Sequence, residues 1–242
     1  MKFLNVPIIA FNFQGKSGNL KYKIMMHRIF VYFILLNTLL HGACAQDKKE
    51  AAARESIDKS VKDFLEKNKN KWHDLNVPYE DGQVLYQLIV KNQYQSALEI
   101  GTSTGHSTIW LAWAMSKTGG KVVTIEIDEG RHREALKNIK EAGLEKFVDA
   151  RLADAHVLVK NLTGPFDFVF SDADKGWYVN YFKEIDPKLS IGGCFTAHNV
   201  TNGFSGVGEF LEYVKSLDNY TTTIDKTSSS GISISYKKAE TR

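Results

Sequence analysis

The sequence predicts an α/β domain, a single doubly wound sheet that is mostly parallel and Rossmann-like. Three observations carry that expectation. Short apolar runs alternate with helical segments from residue 96 onward. A glycine turn, Gly101 to Gly105, follows the first run, and polar residues recur just past the ends of later runs, where such sheets bind ligands.

Two helices come first. Residues 46–70 place Ala53, Ile57, Val61, Phe64 and Leu65 at helical spacing, and residues 80–91 carry a stripe of Val84, Leu85, Leu88 and Ile89. Then the alternation begins: strand 96–100 with helix 105–117, strand 121–127 with helix 129–142, and strand 147–152 with a short helix at 155–160. Strand 166–171 is followed by helix 177–185, and strand 193–197 by helix 207–216. Parallel strands need such crossovers. The end departs from the rule, since 220–224, a polar turn and 231–236 read as a hairpin, which makes one closing strand antiparallel. No repeat or linker divides this part, so one domain at 77–238, preceded by a helical segment at 46–76, is the economical count.

Residues 1–45 read as a leader. They hold five of the 31 basic residues and none of the 28 acidic ones, so the remainder, with 26 against 28, is slightly acidic and gives no footprint of a nucleic-acid partner. The apolar run 29–40 follows positive charge and precedes Ala43-Cys44-Ala45, the pattern of an export signal cleaved after Ala45; a start at Met25 or Met26 would give it ordinary length. Twelve helical residues fall well short of a ~30 Å hydrocarbon core, so no stable membrane span is expected in the mature chain. The expected location is periplasmic or secreted, or cytoplasmic if the leader is not used. Removing the leader removes Cys44 and leaves Cys194 alone, so no intramolecular disulfide or cysteine zinc site is expected.

The strand ends supply the candidate site. Gly101 and Gly105 let a ligand approach the backbone; the G-x-x-x-G spacing is neither the dinucleotide G-x-G-x-x-G nor a P-loop. Glu126 closes the second strand about 20 residues later, where an acid accepts ribose hydroxyls. Asp154-Ala155 could meet an adenine ring. Asp172-Ala173-Asp174-Lys175 offers two carboxylates and an amine suited to a hard cation and a base, or to capping a helix. His198-Asn199 adds a nitrogen and an amide oxygen.

ALEIGTSTGHST, VVTIEID, FDFVFSDADKGWYVNYF and the GG-x(4)-HN segment, in this order, resemble the class I S-adenosylmethionine-dependent O-methyltransferases. More narrowly, they resemble the metal-dependent group that includes catechol and caffeoyl-CoA O-methyltransferases. The resemblance runs from about Val77, through Glu80-Asp81-Gly82-Gln83, to Tyr236. It implies a seven-stranded sheet with the last strand antiparallel, and methyl transfer to a hydroxyl of a small phenolic or catechol-like acceptor. Carried over by position, Glu99 and Gly101 would line the methionine part of the cofactor and Ser107 its carboxylate end. Glu126 would bind the ribose, Asp154 and Ala155 would flank the adenine, and Asp174 would lie beside the cofactor. Asp172 matches the first metal ligand and Lys175 the general base. The family's next two ligands are an Asp-Asn pair; here they are His198 and Asn199. Imidazole for carboxylate implies Mn²⁺ or a softer ion in place of Mg²⁺, or a metal-free site with His198 as catalytic base, or a lost site. Trp72, Trp177, Tyr178 and Phe204 are candidates for the acceptor wall or for core packing. The resemblance implies two places for the helix before Val77: on a second subunit of a homodimer, as N-terminal segments pack in relatives, or simply over the sheet. An exported, non-catalytic binding protein on the same scaffold is the rival reading; an NAD-dependent oxidoreductase lacks its glycine fingerprint.

Overall fold

The computed structural model describes residues 20–72 and 74–239. The chain forms two compact units, residues 1–52 and 53–242. The described part of the first is the beginning of helix α1 (Leu20–Asn68). Residues 1–19 of the expected leader lie outside the described residues, and 20–45 belong to that helix. Among the described residues no helix is long and apolar enough to cross a membrane.

The second unit is built on a seven-stranded sheet. In chain order the elements are α2 (Tyr79–Asn92), β1 (Ser96–Ile100), α3 (His106–Thr118), β2 (Lys121–Glu126), α4 (Glu129–Glu141), β3 (Val148–Leu152), α5 (Ala155–Asn161), β4 (Phe166–Ser171), α6 (Tyr178–Ile185), β5 (Leu189–His198), α7 (Val207–Lys215), β6 (Tyr220–Asp225) and β7 (Ile232–Lys237). The strand order is β3-β2-β1-β4-β5-β7-β6. Strands β1 to β5 pair in parallel, and β7 runs antiparallel to both β5 and β6, as the closing hairpin predicts.

Both faces of the sheet are covered, so its central strands are near-continuously apolar. In β4, Phe168 and Phe170 pack into the core beneath α2 and α3, while Phe166 and Val169 face the core beneath α5, α6 and α7. Strand β5 begins four residues before the expected 193, because an irregularity opposite Phe166 to Phe168 lets the strand run through the Gly192-Gly193 kink without losing its partner. Cys194 is buried there as a free thiol.

The order reverses between β1 and β4. That reversal opens a crevice at the carboxyl ends, and the register places Ile100 beside Ser171 and Ser171 beside Ala197. The next residues of the three chains, Gly101, Asp172 and His198, therefore stand in a row along one rim.

Candidate active site

Past β1, Gly101 adopts φ +102°, and a Cβ on it would lie 3.0 Å from the Ala173 nitrogen and from the Asp172 carbonyl carbon. Only glycine lets the β1 and β4 turns pass so closely. Ser103, also left-handed, donates its backbone N–H to Glu126 Oε2 at 2.7 Å; Ile127 and Asp128 donate theirs to Oε1 at 3.0 and 2.9 Å. Three amides thus aim a 6 % exposed carboxylate at the cavity. A carboxylate has about four acceptor positions, so capacity remains for a ligand hydroxyl. Arg131 of α4 grips Asp74 through Nε (2.7 Å) and Nη2 (3.1 Å), holding the 74–76 segment over this end.

At the end of β3, Asp154 caps α5 by accepting from the His156 N–H at 2.9 Å. The His156 ring stacks on Tyr181 with centroids 5.7 Å apart and lies 4.2 Å from Trp177. Asp174 caps the next turn through the Gly176 N–H at 2.9 Å. Both aspartates are therefore helix or turn caps and cavity residues at once.

The centre of the site is an ion cluster. Asp172 accepts from Lys175 Nζ through Oδ1 and from His198 Nδ1 through Oδ2, the latter at 3.1 Å; Lys175 also donates to the Asp172 carbonyl at 3.1 Å. His198 Nε2 donates to Asp81 Oδ2 at 2.7 Å, and Ser228 donates its hydroxyl to the same oxygen at 2.8 Å. Tyr178 donates to the His198 carbonyl at 3.0 Å. Burial of His198 disfavours its charged form, but the hydrogen bonds and charges of Asp172 and Asp81 outweigh that and hold its pKa up at about 9.

Gly101, Glu126, Asp154, Ala155, Asp172, Asp174, Lys175, His198 and Asn199 all line one cavity of about 620 Å³, within the usual range for a small-molecule site. Two expected cofactor residues do not. Glu99 is fully buried beneath α3, where Thr108 and Thr124 donate to Oε2 at 2.5 and 2.6 Å while Oε1 has no partner. Desolvation pushes its pKa up to about 7, against the hydrogen bonds it accepts. Ser107 is buried in the first turn of α3 on the same side. Both therefore form the layer behind the glycine turn. Of the aromatic candidates Phe204 lines the cavity, whereas Tyr178 is wholly buried, Trp177 packs on His156, and Trp72 stacks on His106 at 4.5 Å.

Ser103, Arg131 and His156 line the cavity and Asp81 reaches its edge, although none of them stood out in the sequence. His156 stood one residue from an expected pair, so its place at the strand end was the signal; Asp81 reaches His198 across 117 residues of chain and no local pattern marks it.

The donor set does not suit a divalent cation. Both His198 nitrogens and both Asp172 oxygens are already engaged, and Lys175 and His198 bring two positive charges to Asp172. Among the described residues no three His, Cys, Asp or Glu side chains are arranged to hold a metal ion.

The sequence matches the family model described as O-methyltransferase over residues 47–207. It is 40% identical over 113 residues to a catechol O-methyltransferase of Niastella koreensis, which covers 45% of this chain and 51% of that one. To a caffeoyl-CoA O-methyltransferase of Petroselinum crispum it is 26% identical over 197 residues, covering 79% of this chain and 76% of that one. The chain spans about half the length of the first of these relatives. Among solved structures, the O-methyltransferase from Bacillus cereus in complex with SAH superposes with a TM-score of 0.65 at 28% identity, covering 74% of this chain and 91% of that one. A Streptomyces achromogenes O-methyltransferase in complex with SAM gives 0.64 at 27%, covering 76% and 90%. With the seven-stranded order, the glycine turn facing Glu126 and the Asp172 rim agreeing with that match, this chain belongs to the O-methyltransferase family.

Proposed function

We propose that the chain transfers a methyl group from S-adenosylmethionine to a hydroxyl of a small phenolic acceptor. The observation that carries this reading is a single cavity joining an amide-held acid, Glu126, to the Lys175, His198 and Asn199 rim. The names of the relatives support the cofactor and acceptor class, as do the SAH and SAM complexes among the solved structures.

The residues fit the cofactor. Glu126 would accept the ribose hydroxyls, the Gly101 cradle would admit the methionine part where a Cβ would collide, and Asp154, Ala155 and His156 would hold the adenine. When bound, S-adenosylmethionine supplies an electrophilic methyl group whose C–S bonding pair stays with sulfur. The protein's own work is to align the acceptor oxygen at about 3–3.5 Å from that carbon and to favour its ionised form. With a phenol pKa near 10, only about one acceptor in a thousand is ionised at pH 7 in water. The positive charges of Lys175 and His198 favour the oxyanion, and each pKa unit of lowering multiplies its population tenfold.

Calorimetry of the full chain with S-adenosylhomocysteine tests the cofactor reading. Incubation with S-adenosylmethionine and a phenol panel, read by mass spectrometry, tests the transfer. Micromolar binding and a methylated product are expected; absence of binding sinks the proposal, and binding without product on any phenol favours a non-catalytic scaffold. Residues 29–45 support a reading of export, which N-terminal sequencing of the protein from its host checks.

A further inference from the structure

We propose that the transfer centre of this chain works without a divalent cation, because both ring nitrogens of His198 are held by Asp172 and Asp81 while Lys175 holds the other oxygen of Asp172, and that it therefore methylates acceptors bearing a single hydroxyl. The inference rests on the methyltransferase reading above.

A carboxylate only accepts hydrogen bonds. Asp172 Oδ2 stands 3.1 Å from His198 Nδ1, and Asp81 Oδ2 stands 2.7 Å from Nε2. Both ring nitrogens are therefore taken up by carboxyl groups, and neither is left for a metal or for a substrate proton. Asp81 is fully buried on α2, and Ser228 holds the same oxygen from the other side. A divalent ion on Asp172 would have to displace Lys175 or His198 and would meet the remaining cation.

The acceptor follows from the same geometry. A bound metal selects vicinal diols because two oxygens chelate it. Here Lys175 spends two of its three donors on Asp172 and keeps one for an acceptor oxygen, with Asn199 beside it on the cavity wall. One oxygen is enough. In the step itself the hydroxyl proton passes to water, the oxygen pair forms the new O–CH₃ bond, and the C–S pair remains on the sulfur of S-adenosylmethionine. His198 takes no proton in this step, since both its ring nitrogens are engaged, and Asp81 is its positioning residue.

The test uses the full chain in three forms: wild type, Asp81→Asn and His198→Asp. Mn²⁺ binding is read directly by the loss of the free-ion electron paramagnetic resonance signal. Transfer to a monohydric phenol and to a catechol is measured with and without EDTA. Wild type is expected to bind no stoichiometric Mn²⁺, to be unaffected by EDTA and to methylate both acceptors. His198→Asp is expected to bind one Mn²⁺ and to become EDTA-sensitive. Asp81→Asn is expected to lower kcat about tenfold and leave S-adenosylhomocysteine affinity unchanged. One equivalent of Mn²⁺ on wild type, or a rate that EDTA lowers more than about tenfold, overturns the proposal. So does turnover confined to the catechol, or a folded His198→Asp that binds no Mn²⁺. If His198→Asp does not fold, the wild-type measurements alone decide. If wild type binds no S-adenosylhomocysteine at all, the methyltransferase reading fails separately, and the Mn²⁺ signal still reports on the cluster.

Discussion

Replacing Gly82 by alanine sets two effects of opposite sign against each other. Gly82 lies inside α2, where alanine is favoured over glycine by up to about 1 kcal/mol on backbone grounds alone. The structure opposes this. An added Cβ would lie 2.2 Å from Trp110 Cδ1 and 2.3 Å from Nε1, against an ordinary contact of about 3.5–4.0 Å. Trp110 cannot swing aside freely: its ring meets Tyr79 edge-on at 4.9 Å and Trp113 at 5.5 Å, and its Nε1 donates to His106 Nε2 at 3.2 Å. Overpacking of a core costs about 1–3 kcal/mol, and pushing α2 away from α3 would also strain the hydrogen bond to His106. The net expectation is a loss of about 1–2 kcal/mol, which for a domain of this size lowers Tm by roughly 2–8 °C. Thermal melts followed by circular dichroism measure it. Because Asp81 adjoins Gly82 on the same helix, the variant should also lose kcat through displacement of His198. A Tm equal to or above that of wild type would refute the packing argument and leave helix propensity as the controlling term.

Two further outcomes are expected. Glu126→Gln turns one acceptor of backbone N–H groups into a donor facing them, so S-adenosylhomocysteine should bind about ten- to a hundredfold more weakly by calorimetry, with the fold retained. Stability should also depend on pH in a particular way. His198, with its pKa raised from 6.5 to about 9, contributes stability fully present below pH 6.5 and lost as pH rises through 9, in all about 3 kcal/mol. Between pH 4 and 7 two buried groups oppose each other. As pH falls, Glu99 (raised to about 7) stabilises the fold, while His106 (lowered to about 4 by burial) destabilises it. Urea titrations should therefore show a nearly flat stability from pH 4.5 to 6.5 and a decline above 7, and His198→Asn should flatten the alkaline arm; an equal decline in that variant would place its origin elsewhere.

The elements were legible because their signals are local. Apolar alternation and helical spacing marked β1 and β4 at their full extents and α2 to α7 to within a residue or two, and the polar hairpin identified the antiparallel strand; α1 begins at Leu20, well before the expected residue 46. The site's rim was legible for a related reason: in a doubly wound sheet a ligand-binding residue sits one step past a strand, and position along the chain is enough to find it. Glu99 shows where that reasoning stops. It lies next to a strand end like the others, yet its side chain points beneath α3, and only the packed structure separates the two directions.

Taken alone, the sequence determined the α/β class, the order of the elements and the family, since each rests on periodicity, turn chemistry and motif spacing within short windows. The tertiary structure decided which side chains meet at the centre. His198 in an aspartate's position leaves metal ligand, base or a lost site open until its neighbours are known. The deciding neighbour, Asp81, is held in place by a helix whose glycine packs against Trp110. A side chain's charge and free donors depend on partners brought together across the whole chain, and no local pattern records them.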